Sequence, residues 1–175
     1  MITVSIVSHG HGCMVDQLVQ QLEHFPEIGQ IILTRNIPES SKLSCGAKLD
    51  IIDNRSPAGF GANHNAAFKY CRNAFFCVVN PDISFIHNPF PALTSCLAEN
   101  DADLAVPLVL DSDGKVDDSI RRYPTPFSLL VKGFGWSDGS YSVTLGQKPC
   151  NFGTKTLCPG VGSGDVYVVS SSLLL

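Results

Sequence analysis

The chain has 175 residues, 44% of them apolar, a formal net charge of −4 and a pI near 5.6. That length fits one domain with a real core, and the acidic balance excludes a general nucleic-acid binder, because the longest basic cluster is the pair Arg121-Arg122. No apolar run approaches the roughly 20 residues that a membrane-spanning helix needs.

The first stretch, "ITVSIVSHG", is β-branched and ends at Gly10, which reads as a buried strand followed by a turn. "CMVDQLVQQLEHF" places Val15, Leu18, Val19 and Leu22 at helical spacing, with Pro26 closing the helix. "IGQIILT" and "KLDIID" are the second and third strands. After the loop "NRSPAGFGANHN", the run "NAAFKYC" reads as a helix, and Asn63 is placed to cap it. "AFFCVVN" is a buried strand, "PFPALTSCLAEN" a helix with Pro89 or Pro91 in its first turn, and "ADLAVPLVL" another strand before the turn "DSDGK".

This β-α-β-β-α-β-α-β order predicts a mostly parallel sheet with helices on both faces, in a single domain spanning residues 1–175. Ligands of such sheets bind outside the carboxyl ends of the strands. Residues 121–164 are rich in Pro, Gly and Ser, and "SLLVKGFG" is their one good helix candidate. The last run, "DVYVVSSSLLL", reads as a strand that stops without a turn or polar tail. It carries the expectation of a truncated chain whose final strand is an exposed edge available for self-association.

Seven cysteines (Cys13, Cys45, Cys71, Cys77, Cys96, Cys150 and Cys158) form no C-x-x-C pair. Their odd number and scatter fit free thiols in a reducing cytosol better than a disulfide framework or a zinc site. The five histidines are not spaced as a metal set: His64 reads as part of the loop, and His9, His11, His24 and His87 as ordinary surface or core residues.

Two segments carry chemistry. In "VVNPDIS" a buried strand ends in Asn80, Pro81 and Asp82, so a carboxylate stands where a hard divalent cation bridging a diphosphate would be held. The same residues also read as a turn with Asp82 as a cap. In "GFGANHN", Gly59 and Gly61 serve either a backbone bend or an anion received at a helix N-terminus. The spacing is neither G-x-G-x-x-G nor a P-loop, which disfavours a nicotinamide dehydrogenase or a P-loop enzyme.

Together, "GFGANHNAAF", "VVNPD" and "VDDSIRRYPTP" resemble, in order, the family 2 glycosyltransferases of GT-A fold, closest to rhamnosyltransferase-like members that build cell-surface polysaccharide. The resemblance implies a GT-A-like, Rossmann-like α/β fold, incomplete at its C-terminus. It implies that Asp82 holds Mg2+ or Mn2+, with Asn80 where many relatives have a second carboxylate. Gly59, Phe60, Gly61, Asn63 and Asn65 match a loop against the nucleotide side of the pocket. Ser8, and Thr34 to Asn36, match segments that contact the base, and Arg121 and Arg122 match a basic pair that meets phosphate. Relatives often have a Thr-Tyr-Asn-like end to the first strand, where this chain has "SHG", and an Asp near the position of Arg35.

The implied reaction moves a sugar, rhamnose by analogy, from a nucleotide-diphospho-sugar to a saccharide or lipid-linked acceptor with inversion. Relatives carry the general base in an acidic motif past the strand matching "DVYVVSSSLLL", so the base is expected beyond residue 175 and the chain's activity to be impaired; Asp138 and Asp165 stand in no convincing motif. The competing readings are a non-catalytic nucleotide-sugar-binding or partner-binding fragment, and a sugar-phosphate nucleotidyltransferase. The last would want a cationic, Gly-rich loop after the first strand, which "SHGHGCMVD" does not provide. A cytoplasmic location is expected, at the inner face of the membrane if peripherally associated.

Overall fold

A computed structural model describes residues 1–107 and the strand backbone at 166–170. Its elements run β1 (Ile2–Ser8), α1 (Cys13–Glu23), β2 (Ile28–Arg35), β3 (Leu49–Asp53), α2 (Phe60–Phe68), β4 (Phe75–Val79), α3 (Phe90–Asn100), β5 (Leu104–Ala105) and β6 (Val166–Ser170). This is the expected α/β order. The turn "DSDGK", the helix candidate "SLLVKGFG", Cys150 and Cys158 lie outside the described residues.

The strands form one six-stranded sheet in the order β3-β2-β1-β4-β6-β5. The first four are mutually parallel, and β6 runs antiparallel to both β4 and β5. Because β6 has a neighbour on each side, it is not the exposed edge that its sequence suggested. Its partner strands lie far back in the chain, and no local pattern reveals them.

Alternation along the strands divides the core. Ile2, Val4 and Ile6 of β1 join Val15, Leu18, Val19 and Leu22 of α1 and Phe90, Leu93 and Leu97 of α3 in one cluster. On the other face Ile32 and Phe76 pack with Ala67 and Phe68 of α2. Helices therefore cover both faces, as expected for a parallel sheet buried on each side. On the α3 side Phe25, Phe85 and Phe90 meet edge-on or tilted, with centroids 5.6–5.8 Å apart.

α2 starts earlier than its sequence suggests. Gly59 is its N-cap, so Asn63 lies within the helix rather than capping it, and His64 is a buried helical residue rather than a loop residue. The cause is local: the Asn63 amide donates to the Ala58 carbonyl (3.2 Å) and accepts from Asn54 (2.7 Å), which fastens the preceding loop to the first turn. The positive φ angles that demand glycine fall instead at Gly10 (83°) and Gly12 (56°), in the turn between β1 and α1.

Candidate functional site

The carboxyl ends of the parallel strands open onto a cleft of about 510 Å³. Val7, His9 and His11 enter it from the end of β1, and Asn36 from the end of β2. Phe60 and Asn63 enter it from α2, and Asn80, Pro81 and Asp82 from the end of β4. Four segments far apart in the chain thus meet where a parallel sheet binds ligands.

Asn36 is the knot of this wall. Its Oδ1 accepts from the Ala58 N–H (2.8 Å) and the Asn54 amide (2.9 Å). Its Nδ2 donates to the Ala58 carbonyl (3.0 Å) and faces His9 Nδ1 (3.1 Å). Its backbone N–H donates to the Ser8 carbonyl (2.8 Å). These bonds tie the end of β1, the end of β2 and the loop before α2 into one unit.

Ser8 is fully buried, and its hydroxyl donates to Glu39 Oε2 (2.8 Å), which also accepts the Gly12 N–H (3.2 Å). It supports the turn carrying His9 and His11 and does not itself line the cleft. Thr34 is buried, and its Oγ1 has no hydrogen-bond partner. Arg35, between Thr34 and Asn36, grips Asp53 bidentately at 2.6 and 2.8 Å. That hydrogen bond raises the guanidinium pKa and lowers that of the Asp53 carboxyl. A carboxylate therefore does stand beside Arg35, but β3 supplies it and the arginine occupies it.

In the α2 segment, Phe60 is 52% exposed over the cleft, and its ring meets His64 edge-on at 4.4 Å between centroids. His64 Nδ1 is bonded to the Ser5 hydroxyl at 2.8 Å, while its Nε2 has no partner. Burial pulls this imidazole down to about 4, so it is neutral near pH 7. Gly59, Gly61 and Asn65 are exposed and do not line the cleft. A Cβ added at Gly59 or Gly61 would meet nothing within 4 Å, and neither glycine has a positive φ, so the fold itself does not require glycine there. Arg121, Arg122, Asp138 and Asp165 lie outside the described residues.

Asp82 is exposed and is the one carboxylate among the lining residues. No group of three or more His, Cys, Asp or Glu able to hold a metal forms among the described residues. The donor set therefore does not fit a cation caged by protein alone. It fits Mg2+ or Mn2+ held by one carboxylate together with a ligand's phosphates. The described cysteines are all free, and burial raises the pKa of the Cys77 thiol. No helix among the described residues is long and apolar enough to cross a membrane.

His9 and His11 are the polar lining residues that pattern reading passed over, as it did the apolar Val7. The alternation His-Gly-His-Gly was the available signal, since the two positive-φ glycines shape the turn that brings both rings to the cleft.

The fold has counterparts among solved structures. A Bacillus anthracis protein described as a glucose-1-phosphate thymidylyltransferase, solved with sucrose, superposes with a TM-score of 0.52 at 12% identity, over 99% of this chain and 73% of its own. That likeness concerns the layered α/β fold alone. S. aureus TarS 1-349 matches with a TM-score of 0.44 at 13% identity, over 71% of this chain and 38% of its own. The mannosyltransferase PcManGT from Pyrobaculum calidifontis, solved with GDP-Man and Mn2+, gives 0.48 at 9%, over 69% and 35%. The chain thus spans little more than a third of those two proteins. No family model and no curated protein sequence matches it.

Proposed function

We propose that this chain is an inverting glycosyltransferase of the family 2 kind whose described cleft binds a nucleotide-diphospho-sugar donor. The observation that carries the reading is the convergence of Phe60 and Asn63, Asn36, and Asn80-Pro81-Asp82 in one cleft at the carboxyl edge of the sheet. Segments 60–63 and 80–82 belong to two of the three motifs through which the sequence resembles the family; the third, "VDDSIRRYPTP", lies outside the described residues. In this reading the exposed ring of Phe60 and the amide wall around Asn36 face the nucleoside. Asp82 would hold Mg2+ or Mn2+ together with the donor diphosphate, and the bound cation would supply charge stabilisation for a departing nucleoside diphosphate. The acceptor-activating carboxylate is not among the described lining residues.

A nucleotidyltransferase reading fits less well. The turn after β1 contains no Lys or Arg, and the carboxylate of Glu39 already occupies the Gly12 N–H. Titration calorimetry with UDP-GlcNAc, GDP-mannose and dTDP-rhamnose, with and without Mn2+, tests the proposal. The expected result is Mn2+-dependent binding of one donor, weakened about tenfold or more by Asp82→Ala, as for loss of a charged ligand contact. Metal-independent binding that is indifferent to Asp82→Ala would overturn it.

A further inference from the structure

We infer that His9 and His11 are a matched pair of neutral hydrogen-bond donors, each presenting Nε2–H to an oxygen acceptor of the ligand in the cleft. The inference rests on the donor-binding reading above and adds two contact residues to it.

The protonation pattern follows from the partners of each Nδ1. The backbone N–H of His9 donates to His11 Nδ1 at 2.9 Å. A backbone amide can only donate, so His11 Nδ1 must accept and the neutral ring carries its proton on Nε2. For His9 the partner is Asn36 Nδ2 at 3.1 Å. The orientation of the Asn36 amide is fixed by Ala58, whose N–H bonds Oδ1 while its carbonyl accepts from Nδ2. The second Nδ2 hydrogen therefore points to His9, whose Nδ1 must also accept. In both rings the fold thus holds the acceptor nitrogen and leaves the donor nitrogen unclaimed by any described residue.

The turn is built to hold this pair. Gly10 lies between the rings at φ 83° and Gly12 follows at φ 56°, both in the region that favours glycine. Glu39 clamps the turn at each side, through Ser8 Oγ and Gly12 N–H. Both rings line the same cleft as Asp82. Two neutral donors suit an oxygen acceptor, and a nucleotide offers two sources of one: a phosphate oxygen or a base carbonyl.

The test compares wild type with the double variants His9→Ala/His11→Ala and His9→Gln/His11→Gln. UDP, dTDP and GDP serve as probes, each with Mn2+. Glutamine places an N–H donor near the position of Nε2, whereas alanine removes it. The expected result is a roughly tenfold or greater loss of affinity in the alanine pair, the size of two lost hydrogen bonds, and recovery to within about threefold in the glutamine pair. Pyrophosphate with Mn2+ and the free nucleoside, titrated separately, assign the acceptor: a loss confined to one probe names that source. Alanine variants that bind like wild type, or glutamine variants as weak as alanine, overturn the inference alone. Wild type that binds none of the three nucleotides overturns both this inference and the glycosyltransferase reading. Thermal melting of each variant separates lost contact from lost fold, and should the alanine pair not fold, the single His9→Gln and His9→Ala variants give the same comparison.

Discussion

His64 shows how one buried side chain links the sheet to the cleft. It is held by the Ser5 hydroxyl beneath it and meets Phe60 above it. Its pKa falls from 6.5 to about 4 because burial disfavours the charged ring. Between those values the unfolded chain binds the proton and the folded chain does not. The stability contributed by the neutral ring is therefore complete above 6.5, declines as the pH falls from 6.5 toward 4, and has no further to fall below it. Asp53 acts in a separate, lower window, because its pKa lies below 3.8 in the folded state and its contribution is lost only on acidification beneath that value. Urea melts between pH 7 and 4 are thus expected to show falling midpoints, with part of the slope gone in His64→Gln. An imidazole NMR shift for His64 that titrates near 6.5 would sink this account.

At the scale of elements, α2 separates what the fold needs from what a ligand needs. Helix-interior glycine costs roughly 0.5–1 kcal/mol relative to alanine. Gly61 lies in the first turn of α2, with open space around its Cβ position and no positive φ. Gly61→Ala is therefore expected to raise the melting temperature slightly, by the equivalent of about 0.5 kcal/mol. If a diphosphate or nucleoside packs against this turn, the same methyl weakens nucleotide binding by about tenfold, read by calorimetry with UDP, dTDP and GDP. A stabilised variant with unchanged affinity would agree with the place of Gly61 outside the lining of the cleft. The contrast is Gly12→Ala, which is expected to lose about 1 kcal/mol or more because φ is 56° there. Sequence reading placed a turn at Gly10 and gave Gly59 and Gly61 either a backbone bend or an anion site, without showing which positions need glycine. Backbone sign is not written in spacing; the positive φ angles of Gly10 and Gly12 show that this pair bends the chain.

Taken as a whole, the molecule has two polar edges with different work. At the amino edge, buried Gln30 accepts from the Thr3 hydroxyl (2.9 Å) and the Arg72 N–H (3.1 Å) and donates to Asp50 (2.7 Å) and the Tyr70 carbonyl (3.0 Å). At the carboxyl edge, Asn36 performs the same knotting, but one side of it faces the cleft. The order of elements along the chain, the two-faced core and the place of Asp82 at a strand end were legible in the sequence, because alternation, helical spacing and strand-end turns are local signals, whereas the position of β6 between β4 and β5 was not. The two knots were not, since Gln30 and Asn36 earn their roles from partners 18 to 42 residues away. The division makes a prediction. Gln30→Ala strands several buried polar groups and is expected to cost about 2–3 kcal/mol in urea melts, while leaving nucleotide affinity within about twofold. Asn36→Ala is expected to cost a similar amount and also to weaken nucleotide binding about tenfold, because the His9 ring and the loop before α2 lose their common anchor. Calorimetry and urea melts on the same two variants check this. Equal losses of affinity in both would mean that the carboxyl edge has no special part in binding, since global softening alone would then account for the effect.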